Sequence, residues 1–218
     1  MVTLPSVATR GRTLNGAAQV YDVCEPLVLL GQQAEINLQL LTALALQDSD
    51  KILDLGCGTG VLTKFIADQL CAETGGIAIG IDAAGNMIQR ARQKRGSETC
   101  RFEVAAAEDL PFESEYFDAV ISSLFFHHVP LDLKRQALSE AFRVLKPGGR
   151  LVIADMHTPT TLLGSLVSYA ARWCLLQPEI GENIQGVLPA LIADVGFLPA
   201  TQIATYFGYI AVFASQKP

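Results

Sequence analysis

Three glycines at alternate positions, set two residues behind an acid, carry the first chemical signal in this chain: Asp54-Leu55-Gly56-Cys57-Gly58-Thr59-Gly60. Lacking a Cβ, such glycines let the main chain turn tightly and let a ligand lie against bare backbone. An apolar run over residues 51–55 precedes the loop, and a helix-like run over residues 61–70 follows it. Together they form a strand–loop–helix nucleotide cradle. A dinucleotide loop would place its third glycine three residues after Gly58, and Val61 stands there. The Asp54 carboxylate would also sit badly beside a pyrophosphate, whereas it suits an ammonium or sulfonium group. Both points argue against a nicotinamide-dependent oxidoreductase.

The cofactor that fits a glycine loop with an acid ahead of it is S-adenosylmethionine. The loop resembles the first motif of the class I S-adenosylmethionine-dependent methyltransferases, and the resemblance continues in chain order. Residues 76–82 form a second apolar strand that closes on Asp82. An acid at that strand tip can accept both ribose hydroxyls, and it can equally cap the helix expected over residues 86–92. In the family the residues just after this acid pack on adenine, which here implies Ala83 or Met87. The block Phe102-Glu-Val-Ala-Ala-Ala-Glu-Asp-Leu-Pro-Phe112 resembles the adenine-contacting segment, with one departure. Where the family usually has Asp, this chain has Ala106. The resemblance then leaves the N–H of Ala107 and the carboxylate of Glu108 as adenine partners, with a solvated surface role open to Glu108. Two further blocks, residues 116–130 and 145–155, resemble the fourth and fifth strand regions. The Lys146-Pro-Gly-Gly149 turn leads into the second of these.

Methyl transfer is an in-line displacement that asks for proximity and orientation, sometimes with a base to take the nucleophile's proton. The strand over residues 117–122 delivers Ser122, Ser123 and the pair His127-His128 to the carboxyl edge of the sheet, where ligands of open α/β sheets lie. His127 and His128 are the candidate bases, and His157 is a third at the same edge. A structural role for each is equally compatible with the pattern. Tyr21, in the N-terminal segment, could close over the donor as an N-terminal aromatic does in some relatives.

These residues need a frame, and the order of elements supplies one. Strand and helix signals alternate, which argues a doubly wound, mostly parallel sheet. Residues 197–206 and 208–214 read as two strands around Phe207-Gly208, and a connection that short makes them antiparallel. The expected fold is therefore α/β: a seven-stranded, Rossmann-like sheet with a C-terminal antiparallel hairpin, as in class I methyltransferases. The helix expected over residues 184–195 stops at Gly196. The chain of 218 residues reads as one domain, 1–218, with an N-terminal helical segment over 1–46 and an insert or lid over 156–183.

Composition narrows the partners. A net charge of −6 and the absence of any Lys/Arg run speak against a nucleic-acid substrate. The five cysteines are scattered singly, without metal-ligand spacing, so no metal is expected. They also give no thiol pair of the kind that arsenic methyltransferases need. The odd cysteine count and the lack of a signal peptide suggest a cytoplasmic protein. No stretch reaches transmembrane length, yet mean hydropathy is high at +0.32.

Part of that excess lies in residues 161–176. Read as a helix, Leu162, Leu166, Tyr169, Trp173 and Leu176 form one apolar stripe. Leu163, Val167, Ala170 and Cys174 form another, with Ser165, Ser168 and Arg172 between them. So apolar a helix must cover something or be covered. It reads as a lid lining an apolar acceptor pocket, also able to touch a membrane surface, or as a core or homodimer-interface helix. The overall expectation is methyl transfer from S-adenosylmethionine to a small apolar acceptor. A donor-binding protein without catalysis, a sensor or partner subunit, is the alternative that Ala106 favours.

Overall fold

The computed structural model describes residues 4–14, 16, 31–174 and 177–218. Among them the chain runs α1 (Gln33–Leu44), β1 (Lys51–Leu55), α2 (Val61–Ala67), β2 (Ile77–Asp82), α3 (Gly85–Arg95), β3 (Cys100–Val104) and β4 (Phe117–Ser123). A 3-10 turn (Phe126–His128) leads to α4 (Leu131–Val144), β5 (Leu145–Met156), α5 (Leu162–Cys174), α6 (Ile180–Ile184), α7 (Val187–Val195), β6 (Thr201–Tyr206) and β7 (Ile210–Gln216).

The seven strands form one sheet in the order β3-β2-β1-β4-β5-β7-β6. β1 to β5 are mutually parallel, and β7 runs antiparallel to both β5 and β6. The expected fold class is what the chain adopts. Both faces are covered, so the central strands are apolar on successive residues. Leu53, Leu55, Ile81 and Val120 face one layer, where Leu138, Ala141 and Val144 of α4 and Leu188, Leu191 and Ile192 of α7 pack. Ile52, Ala119, Ile121 and Val152 face the other, against Leu40 of α1, Ile66 of α2 and Ile88 of α3.

Three elements differ from the sequence expectation. The helix expected over residues 184–195 starts later, at Val187, because Gly186 adopts a left-handed conformation (φ +77°) that separates it from α6, and it stops at Gly196 as expected. Residues 197–200 stand outside β6, and Phe197 is instead a core anchor, its ring edge-on to Phe142 at 5.0 Å. Residues 4–14 carry no helix. They lie as an extended strap across the carboxyl ends of the strands, and the described helix of the N-terminal segment is α1. The hairpin does turn at Phe207-Gly208, both left-handed (φ +54° and +71°). The Tyr209 N–H closes this turn on the Tyr206 carbonyl at 3.1 Å, within the three-residue connection between β6 and β7.

Candidate active site

β1 and β4 are neighbours in the sheet, yet the chain leaves β1 toward β2 on one side and β4 toward β5 on the other. At such a switch point a crevice opens beyond the strand ends. The glycine loop fills its floor. Gly56, Gly58 and Gly60 all have positive φ (+72°, +54° and +82°). A Cβ on Gly56 would run into the Phe125 ring, so this position holds the loop close against the segment after β4.

The crevice contains a cavity. Its walls are Gly56 and Gly58 of the loop, Asp82 and Ala83 at the tip of β2, Met87 of α3, Ala107 and Glu108 after β3, and His128. Leu14, Leu124, Phe125 and Val129 make an apolar side. A smaller cavity on the other side of the loop is lined by Asp54, Cys57, Ser123 and Gln33. The two share Gly56.

Each acid is held for a definable reason. Asp82 accepts the N–H of Gly58 (3.1 Å) on one oxygen and that of Ala84 (2.8 Å) on the other. Burial nevertheless leaves its carboxyl above the ordinary range. Asp54 is buried and accepts the Thr63 hydroxyl at 2.6 Å. Burial pushes its carboxyl up to about 7, against the pull of that hydrogen bond, and Asp82 adds to the rise. The same burial raises the Cys57 thiol well beyond its usual range, so it is no thiolate. Glu108 accepts the Thr9 hydroxyl at 2.5 Å.

The histidines separate by role. His128 lines the larger cavity. Burial, with neighbouring His127, lowers it to about 3, so it is neutral at physiological pH. Its Nδ1 is buried without a hydrogen-bond partner among the described residues. His127 is turned away from the cavity, its Nδ1 2.7 Å from Asp155. That carboxylate is fully buried and also accepts the N–H groups of Phe126 (2.6 Å) and Met156 (2.7 Å) and the amide of Asn183 (3.3 Å). Burial would raise it, but His127, the Met156 N–H and His128 bring it below the ordinary range. The cluster clamps the 3-10 turn that presents His128. His157 stacks edge-on to Phe213 at 5.0 Å and lines neither cavity.

Several sequence-level candidates therefore gather and others do not. Gly56, Gly58, Asp82, Ala83, Met87, Ala107, Glu108 and His128 share one cavity, and Asp54, Cys57 and Ser123 line the next. Gly60 lines neither. It starts α2, and a Cβ there would meet Phe102. Ser122 does not face the crevice: it is fully buried and donates to the Leu55 carbonyl at 2.9 Å, tying β4 to β1. Tyr21 lies outside the described residues. α5 contributes nothing to either wall, and Trp173 is 67% exposed. The core reading of that helix does not hold for its large side chains.

The strap was not anticipated. The Val7 N–H donates to the Ala83 carbonyl (3.0 Å), the Gly85 N–H to the Ser6 hydroxyl (3.0 Å), and the Arg12 N–H to the His128 carbonyl (2.9 Å). Thr9, Gly11, Arg12, Thr13 and Leu14 thereby roof the larger cavity. A Cβ on Gly85 would strike the Leu4 carbonyl, so that glycine lets the strap seat against α3.

Known proteins resemble this chain in sequence and in fold. Residues 53–153 match the methyltransferase domain family. The chain is 33% identical over 220 residues to the demethylmenaquinone methyltransferase of Clavibacter sepedonicus, covering 92% of this chain and 87% of that protein. It is also 33% identical over 165 residues to the ubiquinone/menaquinone biosynthesis C-methyltransferase of Geobacter sp. (strain M21), covering 73% and 68%. A phosphoethanolamine N-methyltransferase of Haemonchus contortus, solved with phosphomonomethylethanolamine and S-adenosylhomocysteine, superposes with a TM-score of 0.69 at 17% identity. That match covers 96% of this chain and 59% of that one, and carries the fold alone. This chain belongs to the class I S-adenosylmethionine-dependent methyltransferases, in the broad group that includes the ubiquinone/menaquinone C-methyltransferases.

Proposed function

We propose that this enzyme methylates a small apolar acceptor held beside His128, with the donor's adenosine in the larger cavity and its charged end near Asp54. One observation carries the reading: glycine loop, Asp82, neutral His128 and an apolar wall meet around a single cavity. Bound S-adenosylmethionine supplies an electrophilic methyl group on a sulfonium.

The protein's part is to hold and orient. Asp82 keeps lone pairs free for ribose hydroxyls after accepting two backbone N–H bonds. Ala83 and Met87 offer apolar surface to the adenine, while Glu108 and the Ala107 N–H take the polar edge that Ala106 cannot serve. Asp54, once ionised, faces an ammonium. Ser123 and Cys57 shape that end of the site. Neutral His128 accepts a hydrogen bond from the acceptor's nucleophile and aligns it. A conjugate acid near 3 makes it a weak proton acceptor, so orientation is its larger contribution. His127 positions the turn through Asp155. The apolar wall and the names of the quinone-methylating relatives both support an apolar acceptor.

The test is transfer of labelled methyl from S-adenosylmethionine to a panel of quinols, phenols and amines. Label should enter an apolar member of the panel and fall about tenfold in His128→Ala, the scale of one lost hydrogen bond. Donor binding with no transfer to any member would favour the non-catalytic alternative.

A further inference from the structure

α5 has its polarity reversed. The side turned toward the protein carries Gly164, packed near Gly208, Ser168, which has no exposed surface, and Ala171, which joins the cluster of Met156, Ile180 and Ile184. The outward side carries Leu162 (92% exposed), Leu166 and Trp173 (both 67%), with Leu163, Val167 and Tyr169 also exposed. A helix that ends at an aqueous surface normally shows the opposite arrangement.

From this we infer that α5 docks in the plane of an anionic lipid surface, with Leu162, Leu166, Tyr169 and Trp173 at the boundary between headgroups and acyl chains. Charge supports it. Residues 156–176 contain no Asp or Glu, although the chain holds 22 acids and a net charge of −6. The one Lys/Arg residue of that stretch is Arg172, whose guanidinium lies 5.1 Å from the Trp173 ring. The next acids along the chain, Glu179 and Glu182, belong to the α6 region, and Glu182 is paired with Lys134. An acid-free apolar face with a cation beside an indole is what an anionic interface accepts. Trp and Tyr are the side chains that favour such interfaces.

Size argues against the other occupants. A 13-residue helix is about 20 Å long, too short for the roughly 30 Å hydrocarbon core. Among the described residues no helix is long and apolar enough to cross a membrane. One face of such a helix offers a few hundred Å², against about 800 Å² per partner in a stable dimer. The inference stands apart from the acceptor reading, since it needs no methyl transfer.

Trp173 is the only tryptophan of the chain, so its fluorescence reports on this face alone. Adding phosphatidylglycerol-containing vesicles to the full chain should shift its emission to the blue and expose it to quenching by brominated acyl chains. Pure phosphatidylcholine should bind about fivefold more weakly, the scale of one basic side chain at the surface. Leu162→Glu with Leu166→Glu should remove the shift while the circular-dichroism melt stays unchanged, because both side chains are exposed. Emission unmoved by every vesicle would overturn the proposal. So would emission already blue without lipid, with sedimentation velocity then showing whether a second copy of the chain covers this face.

Discussion

Asp54 shows how one residue's environment becomes a measurable pH dependence. Its carboxyl sits near 7 in the folded chain and near 3.8 unfolded. The folded state therefore holds a proton that the unfolded state has released, and stability falls as pH rises from about 4 through 7. Asp54→Asn should raise the melting temperature above pH 7, by at most about 4 kcal/mol of stability. The same substitution should flatten donor binding with pH. In the native chain, S-adenosylmethionine should bind more tightly as pH rises through 7, because only the ionised carboxylate attracts its cationic end. A pH-independent dissociation constant in the native chain would contradict this. Which residues gather around the candidate site was largely legible in sequence, because glycine spacing and strand-end acids are local patterns. Ser122 was not, since alternation along β4 turned it into the seam with β1. Nor was the division between His127 and His128, which depends on a carboxylate on another strand.

At the scale of elements the strap and α5 matter most. The strap roofs the cavity through the Thr9–Glu108 and Arg12–His128 hydrogen bonds and an Arg10–Asp132 ion pair. Thr9→Val with Arg10→Ala should speed dissociation of S-adenosylhomocysteine several-fold in stopped flow, since the roof must lift for exit. An unchanged rate would mean that the donor leaves by another route. For α5, exposure predicts that Trp173→Ala costs little stability, within about 0.5 kcal/mol. A loss of several kcal/mol would mean the ring is buried. The sequence showed that α5 was too apolar for water, but not which way it faced. Helical periodicity reads the width of a stripe, and only tertiary packing decides that Gly164 and Ser168 turn inward. The strap left no periodic signal at all, because residues 4–14 bond by backbone and single side chains.

For the molecule as a whole, chain order brings the chemistry together. The first strand feeds the glycine loop, the next brings Asp82, and the return through β4 and β5 carries the histidine turn and its Asp155 clamp to the same edge. Alternating strand and helix signals made this architecture readable, whereas the break at Gly186 depended on one backbone angle. The seat proposed for the donor is the cavity floored by the loop and gripped by Asp82. Isothermal titration of S-adenosylhomocysteine into the native chain and into Asp82→Ala tests it most directly. One site is expected, with a binding loss of about 1.5–3 kcal/mol in the variant, roughly 10- to 150-fold. Equal affinity in both proteins, with the variant's melting curve intact, would contradict it.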